Sequence, residues 1–155
     1  MRLRKKVVVD LDVVTVAEWN SKREAIQFIA RIKAGEFEVY TPYSLFDLLD
    51  KWRYETLRNK IKEFYELYST EIVTLQKLTE RLDKLKINET AVTKDLKKEQ
   101  IKEEDILLII ITSLFDLDFL VTLNRKHLKN KKEVINNVLR KYRLRTIRII
   151  SPDEI

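Results

Sequence analysis

Apolar and polar positions alternate in blocks along the chain, and the blocks change period. Val7, Val8 and Val9 are consecutive and β-branched, the pattern of a strand covered on both faces, and Asp10 ends the run. Ser21-Lys22-Arg23-Glu24 reads as a capping box opening a helix, with the stripe Ala25, Ile26, Ile29 and Ile32. Gly35, the only glycine, falls where a left-handed helix C-cap is wanted. A short strand over Glu36 to Tyr40 follows, and Thr41-Pro42 then opens another helix as cap and first-turn proline. Phe46, Leu49, Trp52, Leu57, Ile61 and Phe64 continue it at helical spacing. Tyr54 to Leu85 is mostly helical in pattern, with a break expected near Ser69-Thr70.

Ile87 to Gln100 is polar and weakly periodic, a loop or marginal helix. From Glu103 to Leu128 an apolar helix headed by acids turns into an apolar strand, FLVTL, which ends at Asn124. Lys132 to Tyr142 is a basic amphipathic helix on Val134, Ile135, Val138 and Leu139. Arg145 to Ile150 gives a last strand, stopped by Ser151-Pro152. Strands alternating with helices predict a parallel α/β sheet. No internal repeat or linker divides the chain, and its 155 residues are read as one domain, 1–155.

Composition narrows the chemistry. With 45% hydrophobic and 36% charged residues the chain is globular rather than disordered. It has no cysteine and one histidine, His127, so disulfides, thiolate sites and multi-histidine metal sites are excluded, and a Ser-His-Asp triad is disfavoured. Any metal must be held by oxygen. The basic N-terminus carries too short an apolar run for a signal peptide, and Ile106 to Phe115 is about half the length a bilayer requires, so a cytoplasmic protein without membrane segments is expected. Abundant Lys, Glu and Ile with few thermolabile residues resemble a hyperthermophile bias.

Charge adds a second feature. The formal net charge is +6, but Arg125 to Arg148 holds ten basic residues against one acid, Glu133, an excess of +9 that leaves −3 for the rest. A basic face on a slightly acidic body suits a polyanion such as nucleic acid, and equally a solvated helix face.

Four polar side chains fall at comparable places: Asp10 after the first strand, Asp47 in the helix after the second, Asp105 at the head of the buried helix, and Asn124 after FLVTL. In a parallel sheet, strand ends share one edge, and helix-borne acids can reach it. Clustered carboxylates repel one another and take up protons or a cation, for which Mg²⁺ or Mn²⁺ is the hard, oxygen-seeking choice. Read singly, Asp10 ends a strand, Asp47 is a helix surface charge, Asp105 complements a helix dipole and Asn124 suits a turn.

The segments KVVVDLDVVTVA, KAGEFEVYTPYSLFDLLDKW, EEDILLIIITSLFDLDFLVTLNRKHL and IRIISPDEI together resemble the PIN domain, a metal-dependent ribonuclease fold. LVTLNRKHL is the most specific of them, and the stretch between Trp52 and Glu103 carries no diagnostic match. The resemblance implies a three-layer α/β/α sandwich around a mainly parallel sheet of four to five strands. It also implies RNA cleavage by metal-activated water, with Asp10, Asp47 and Asp105 as metal ligands and Asn124 at a fourth acidic position. Asp47 stands where the family more usually has Glu, one methylene longer, and Asn124 where it usually has Asp. Implied partners are RNA, an antitoxin or RNA-processing protein, and a second copy of the chain. Arg125 and Lys126, beside Asn124, are the expected substrate contacts. His127 is given no catalytic role, Asp12, Asp116 and Asp118 are read as turn or supporting residues, and Trp19 and Trp52 as core or interface.

Two other readings stand beside this one. A PIN-like module that binds RNA or protein without cleaving is consistent with Asn124. DLDVV also resembles the first motif of haloacid-dehalogenase-type phosphohydrolases, with Asp10 as nucleophile, Asp12 as general acid/base, Thr122 as the second-motif hydroxyl, and Asp153 and Glu154 as late acids. In that reading Asp47 and Asp105 have no role, and the span from Thr122 to Asp153 is short for the elements it must hold.

Overall fold

The structure, a computed structural model, describes residues 3–155. Five strands form one sheet in the order β3-β2-β1-β4-β5: β1 Lys5–Val9, β2 Phe37–Pro42, β3 Glu71–Val73, β4 Phe119–Val121 and β5 Ile149–Ile150. Every pairing is parallel, with Val7 opposite Val39 on one side and Phe119 on the other. The expected parallel α/β sandwich is thus observed, with five strands.

The helices are α1 Leu11–Glu18, α2 Arg23–Lys33, α3 Tyr43–Asp50, α4 Glu55–Tyr68, α5 Leu75–Leu85, α6 Glu89–Lys98, α7 Glu103–Leu114 and α8 Lys132–Lys141. Connections from β1 to β2 to β3 travel one way across the sheet, and that from β4 to β5 travels the other. Crossovers of one hand then place their helices on opposite faces. The two cores follow this division. Val7, Val9, Phe119, Val121 and Ile150 pack against α1 to α4, whereas Val8, Leu120 and Ile149 pack against α5 to α8. The period of two within VVV and FLV is what lets three residues serve both layers. Among the described residues no helix is long and apolar enough to cross a membrane.

Several local readings are corrected. α2 begins at Arg23 with Lys22 at its N-cap and no side-chain cap bond, so the Ser21 capping box does not form. Phe28, absent from the expected stripe, is buried with Ala25, Ile29 and Ile32. Thr41 does not cap α3; β2 runs on through Pro42, and the Thr41 hydroxyl pairs with Ser69 at 2.5 Å. The break at Ser69-Thr70 is present and admits a whole strand, β3, after which Thr74 caps α5 by accepting the Lys77 N–H. The polar stretch after Ile87 is helical, capped by Asn88. The last strand is only Ile149–Ile150.

Gly35 does close α2 in the left-handed region, with φ of 81°. Glu36 N–H donates to Arg31 and Gly35 N–H to Ile32, the crossed pair of a Schellman motif. The same pair of bonds closes five other helices on non-glycine residues: Asn20, Lys86, Gln100, Asp116 and Arg143, all with φ between 52° and 63°. A chain with one glycine therefore ends most of its helices at a steric cost.

Candidate functional site

β1 and β4 are neighbours whose connections leave toward opposite faces, and such a switch point opens a crevice beyond the carboxyl ends of the strands. Asp10 stands at this crevice. It is the N-cap of α1, with φ −63° and ψ 148°, and its Oδ1 accepts the Leu11 N–H at 2.7 Å. Its Oδ2 accepts the Thr122 hydroxyl at 2.8 Å. Thr122, fully buried just past β4, accepts the Asn124 N–H in turn at 3.0 Å. The Tyr65 hydroxyl, from α4, donates to the Val9 carbonyl at 2.8 Å and pins the end of β1.

Asp12, in the first turn of α1, accepts the Leu123 N–H on both carboxylate oxygens, at 3.2 and 3.3 Å, and also lies 3.4 Å from the Thr122 hydroxyl. Asp105 reaches the crevice from the other layer, in the first turn of α7, and is 7% exposed. Half-buried Asp10 and Asp12 at the start of α1 and buried Asp105 in α7 thus flank one strand-end junction.

Their titration reflects this placement. Burial pushes the Asp10 carboxyl up to about 8, and the charges of Asp12 and Asp105 push it in the same direction; the bonds from Thr122 and Leu11 pull it back. Asp105 is raised to about 6, first by burial and then by Glu104 and Asp12. Asp12 is raised by burial, against the bonds it accepts from Leu123. The three carboxyl groups are one electrostatic unit, held toward protonation by desolvation and by each other. Asp12, first read as a supporting residue, belongs to that unit. The sequence signal was there, an acid two residues after the strand-ending Asp10.

The remaining expected residues are placed differently. Asp47 is exposed on α3 and lines a separate groove of about 380 Å³ with Glu103, Glu104 and Lys51. Among the described residues no three Asp, Glu or His side chains lie close enough to hold a metal between them, so the trio Asp10, Asp47 and Asp105 is not closed in this structure. The Asn124 side chain accepts the His127 N–H at 3.0 Å and shapes the turn after β4. Arg125 and Lys126 are exposed in that turn. Of the tryptophans, Trp52 packs against the core but Trp19 is 62% exposed, so it is not a core residue. Asp153 is exposed, and Glu154 is tied to Lys129 and to Ser151 in a capping box, which holds its carboxyl down at about 2. Of the late acids of the phosphohydrolase reading, Glu154 is thus engaged in closing the C-terminal turn.

The basic stretch is not one face. α8 runs back along the sheet, so Arg125 and Lys126 sit at the carboxyl edge while Arg143, Arg145 and Arg148 sit at the amino edge. Several of its cations are engaged: Lys129 with Glu154, Lys141 with Asp95, Arg145 with Asp116, and Arg148 over the Phe119 ring.

The donor set can be tested against a divalent cation. Mg²⁺ keeps several waters and commonly takes only one or two protein carboxylates, all oxygen. Asp10 and Asp105, desolvated and raised by neighbouring acids, fit that requirement; a closed cage of three or more carboxylates is not present among the described residues. No protein-family model matches the sequence, and no curated protein matches it.

Proposed function

We propose that the chain is a metal-dependent ribonuclease that cleaves RNA at the crevice between β1 and β4, with Mg²⁺ or Mn²⁺ held by Asp10 and Asp105. The observation that carries this reading is the pair of buried carboxyl groups brought from opposite layers to one strand-end junction, each raised by desolvation and by neighbouring acids. When bound, the ion supplies a water activated near neutral pH and neutralises charge on the phosphodiester. Thr122 fixes the orientation of Asp10, and Leu123 holds Asp12 beside it. Asp12 is the third acid of the unit; its charge raises the other two carboxyl groups and would add to their attraction for a divalent cation. Arg125 and Lys126 reach the RNA backbone from the turn after Asn124 as exposed point charges.

A second reading, an RNA- or protein-binding module without cleavage, is favoured by Asn124, whose side chain shapes a turn, and by Asp47, which faces another groove. The two readings separate in one experiment. Purified protein is incubated with varied single-stranded and structured RNAs and Mn²⁺ or Mg²⁺, beside Asp10→Asn and Asp105→Asn. Cleavage lost in both variants supports the nuclease. Absence of cleavage with any metal, alongside retained RNA binding, supports the module. The same fold would serve a toxin nuclease or an RNA-processing enzyme, in the cytoplasm and with an antitoxin, a processing partner or a second copy bound.

A further inference from the structure

At the opposite, amino edge of the sheet lies a cavity of about 400 Å³ lined by Arg81, Lys84, Arg143 and Arg145, with Asp116 as its acid and Ser113 at its wall. We propose that this cavity binds a phosphate-bearing ligand, through the phosphoryl group of a nucleotide or of an RNA backbone, and does so independently of the acidic crevice.

The argument begins with what the four cations already do. Three helices end here: α5 at Leu85, α7 at Leu114 and α8 at Lys141. Each helix C-terminus is equivalent to about −0.5 charge, and basic residues commonly do no more than answer it. Three ends amount to roughly −1.5. Asp116 adds one full negative charge, so four cations leave an excess of about +1.5, close to the charge of a phosphomonoester near neutral pH.

Geometry agrees with an open site. Arg81 spends its Nε on the Leu114 carbonyl at 3.1 Å and stacks on the Phe115 ring, which fixes the guanidinium and leaves its terminal amino groups for a ligand. Arg145 is paired with Asp116 at 3.2 Å, but both side chains are more than half exposed, and such a pair is readily exchanged for a stronger anion. Among the described residues no acid pairs with Arg81, Lys84 or Arg143. Ser113 donates its hydroxyl to the Arg145 carbonyl at 2.6 Å and so anchors the segment that carries two of the cations.

A fixed guanidinium flanked by exposed cations, around a concavity of about 400 Å³, suits a planar or tetrahedral oxyanion. α7 separates Asp105, near its start at one edge, from Leu114 at this cavity by about 14 Å along its axis. The cavity is therefore a second site and not an extension of the crevice.

The test is titration calorimetry of the full chain at low salt with chelator present, using inorganic pyrophosphate, adenosine monophosphate and an oligouridylate as probes. Saturable binding is expected for at least one probe. Lys84→Gln combined with Arg143→Gln should weaken it by about tenfold or more, and Lys84→Arg with Arg143→Lys should restore it. Equal affinity for the mononucleotide and the oligomer assigns a small-ligand site; binding of the oligomer alone assigns an RNA backbone site. Asp10→Asn, with the cavity intact, should bind as the wild type does, so failure of the nuclease reading leaves this result unaffected. No saturable binding of any probe, or equal binding by the double glutamine variant with unchanged circular dichroism, overturns the proposal.

Discussion

Thr122 donates to Asp10 at 2.8 Å while accepting the Asn124 N–H at 3.0 Å, so one hydroxyl joins the end of β1 to the turn after β4. Thr122→Val keeps the shape and removes both bonds. Two polar groups then lose their partner, and the fold should lose about 2 kcal/mol in urea denaturation. The Asp10 carboxyl, deprived of a bond that favours its charged form, should rise further, and Mn²⁺ affinity should fall at fixed pH. Thr122→Ser should recover most of both.

Asp10 links stability to pH. Its carboxyl is raised from 3.8 to about 8, so between those values the folded chain holds a proton that the unfolded chain has released. Stability contributed by this group is therefore present at low pH and lost as pH rises through that window. Asp10→Asn does not lose this contribution, and should be more stable than wild type at about pH 8, by on the order of 5 kcal/mol, with the difference vanishing near pH 4. Denaturation of both proteins across pH measures this directly, and saturating Mg²⁺ should narrow the gap by stabilising wild type alone.

Asp47 and Asp105 should separate in activity. Asp105 is buried at the crevice, and Asp105→Asn should cost on the order of 100-fold or more in RNA cleavage. Asp47 is exposed and lines a separate groove with Glu103 and Glu104, so Asp47→Asn should leave the rate nearly unchanged. Initial rates at saturating Mn²⁺ decide it, and equal losses would return Asp47 to the ligand set implied by the resemblance.

The left-handed helix ends predict a stabilising change. Gln100, exposed with φ of 63°, bears a strain that glycine lacks. Gln100→Gly should raise stability by about 0.5–1 kcal/mol after the entropy glycine loses on folding. Urea denaturation reads the gain.

Much of the architecture was legible in the chain because a residue pattern had one physical outcome. VVV and FLV are buried on both faces, as interior parallel strands are, and Gly35 took a left-handed helix end that glycine adopts without strain. α1 was missed because Val13, Val14, Thr15 and Val16 are β-branched, although Asp10 caps it and Thr15 returns its hydroxyl to the Leu11 carbonyl. β3 was missed because three residues between two helices leave no period to detect. At the site, Asp10 and Asp105 lay in runs whose burial was readable. Asp12 and Asp47 depended on where helices point, which spacing alone does not give.

The adjacency of β1 and β4 also sets when the crevice can exist. Asp10 and Thr122 are separated by 112 positions, and β1 lacks its second neighbour until β4 has been made. During synthesis β1 and α1 leave the ribosome before α7 and β4, so the carboxylate has no Asp105 across from it and no orienting hydroxyl until those elements follow. Any activity housed there is withheld from the nascent protein until Asp105 and Thr122 have both emerged and β4 has paired with β1.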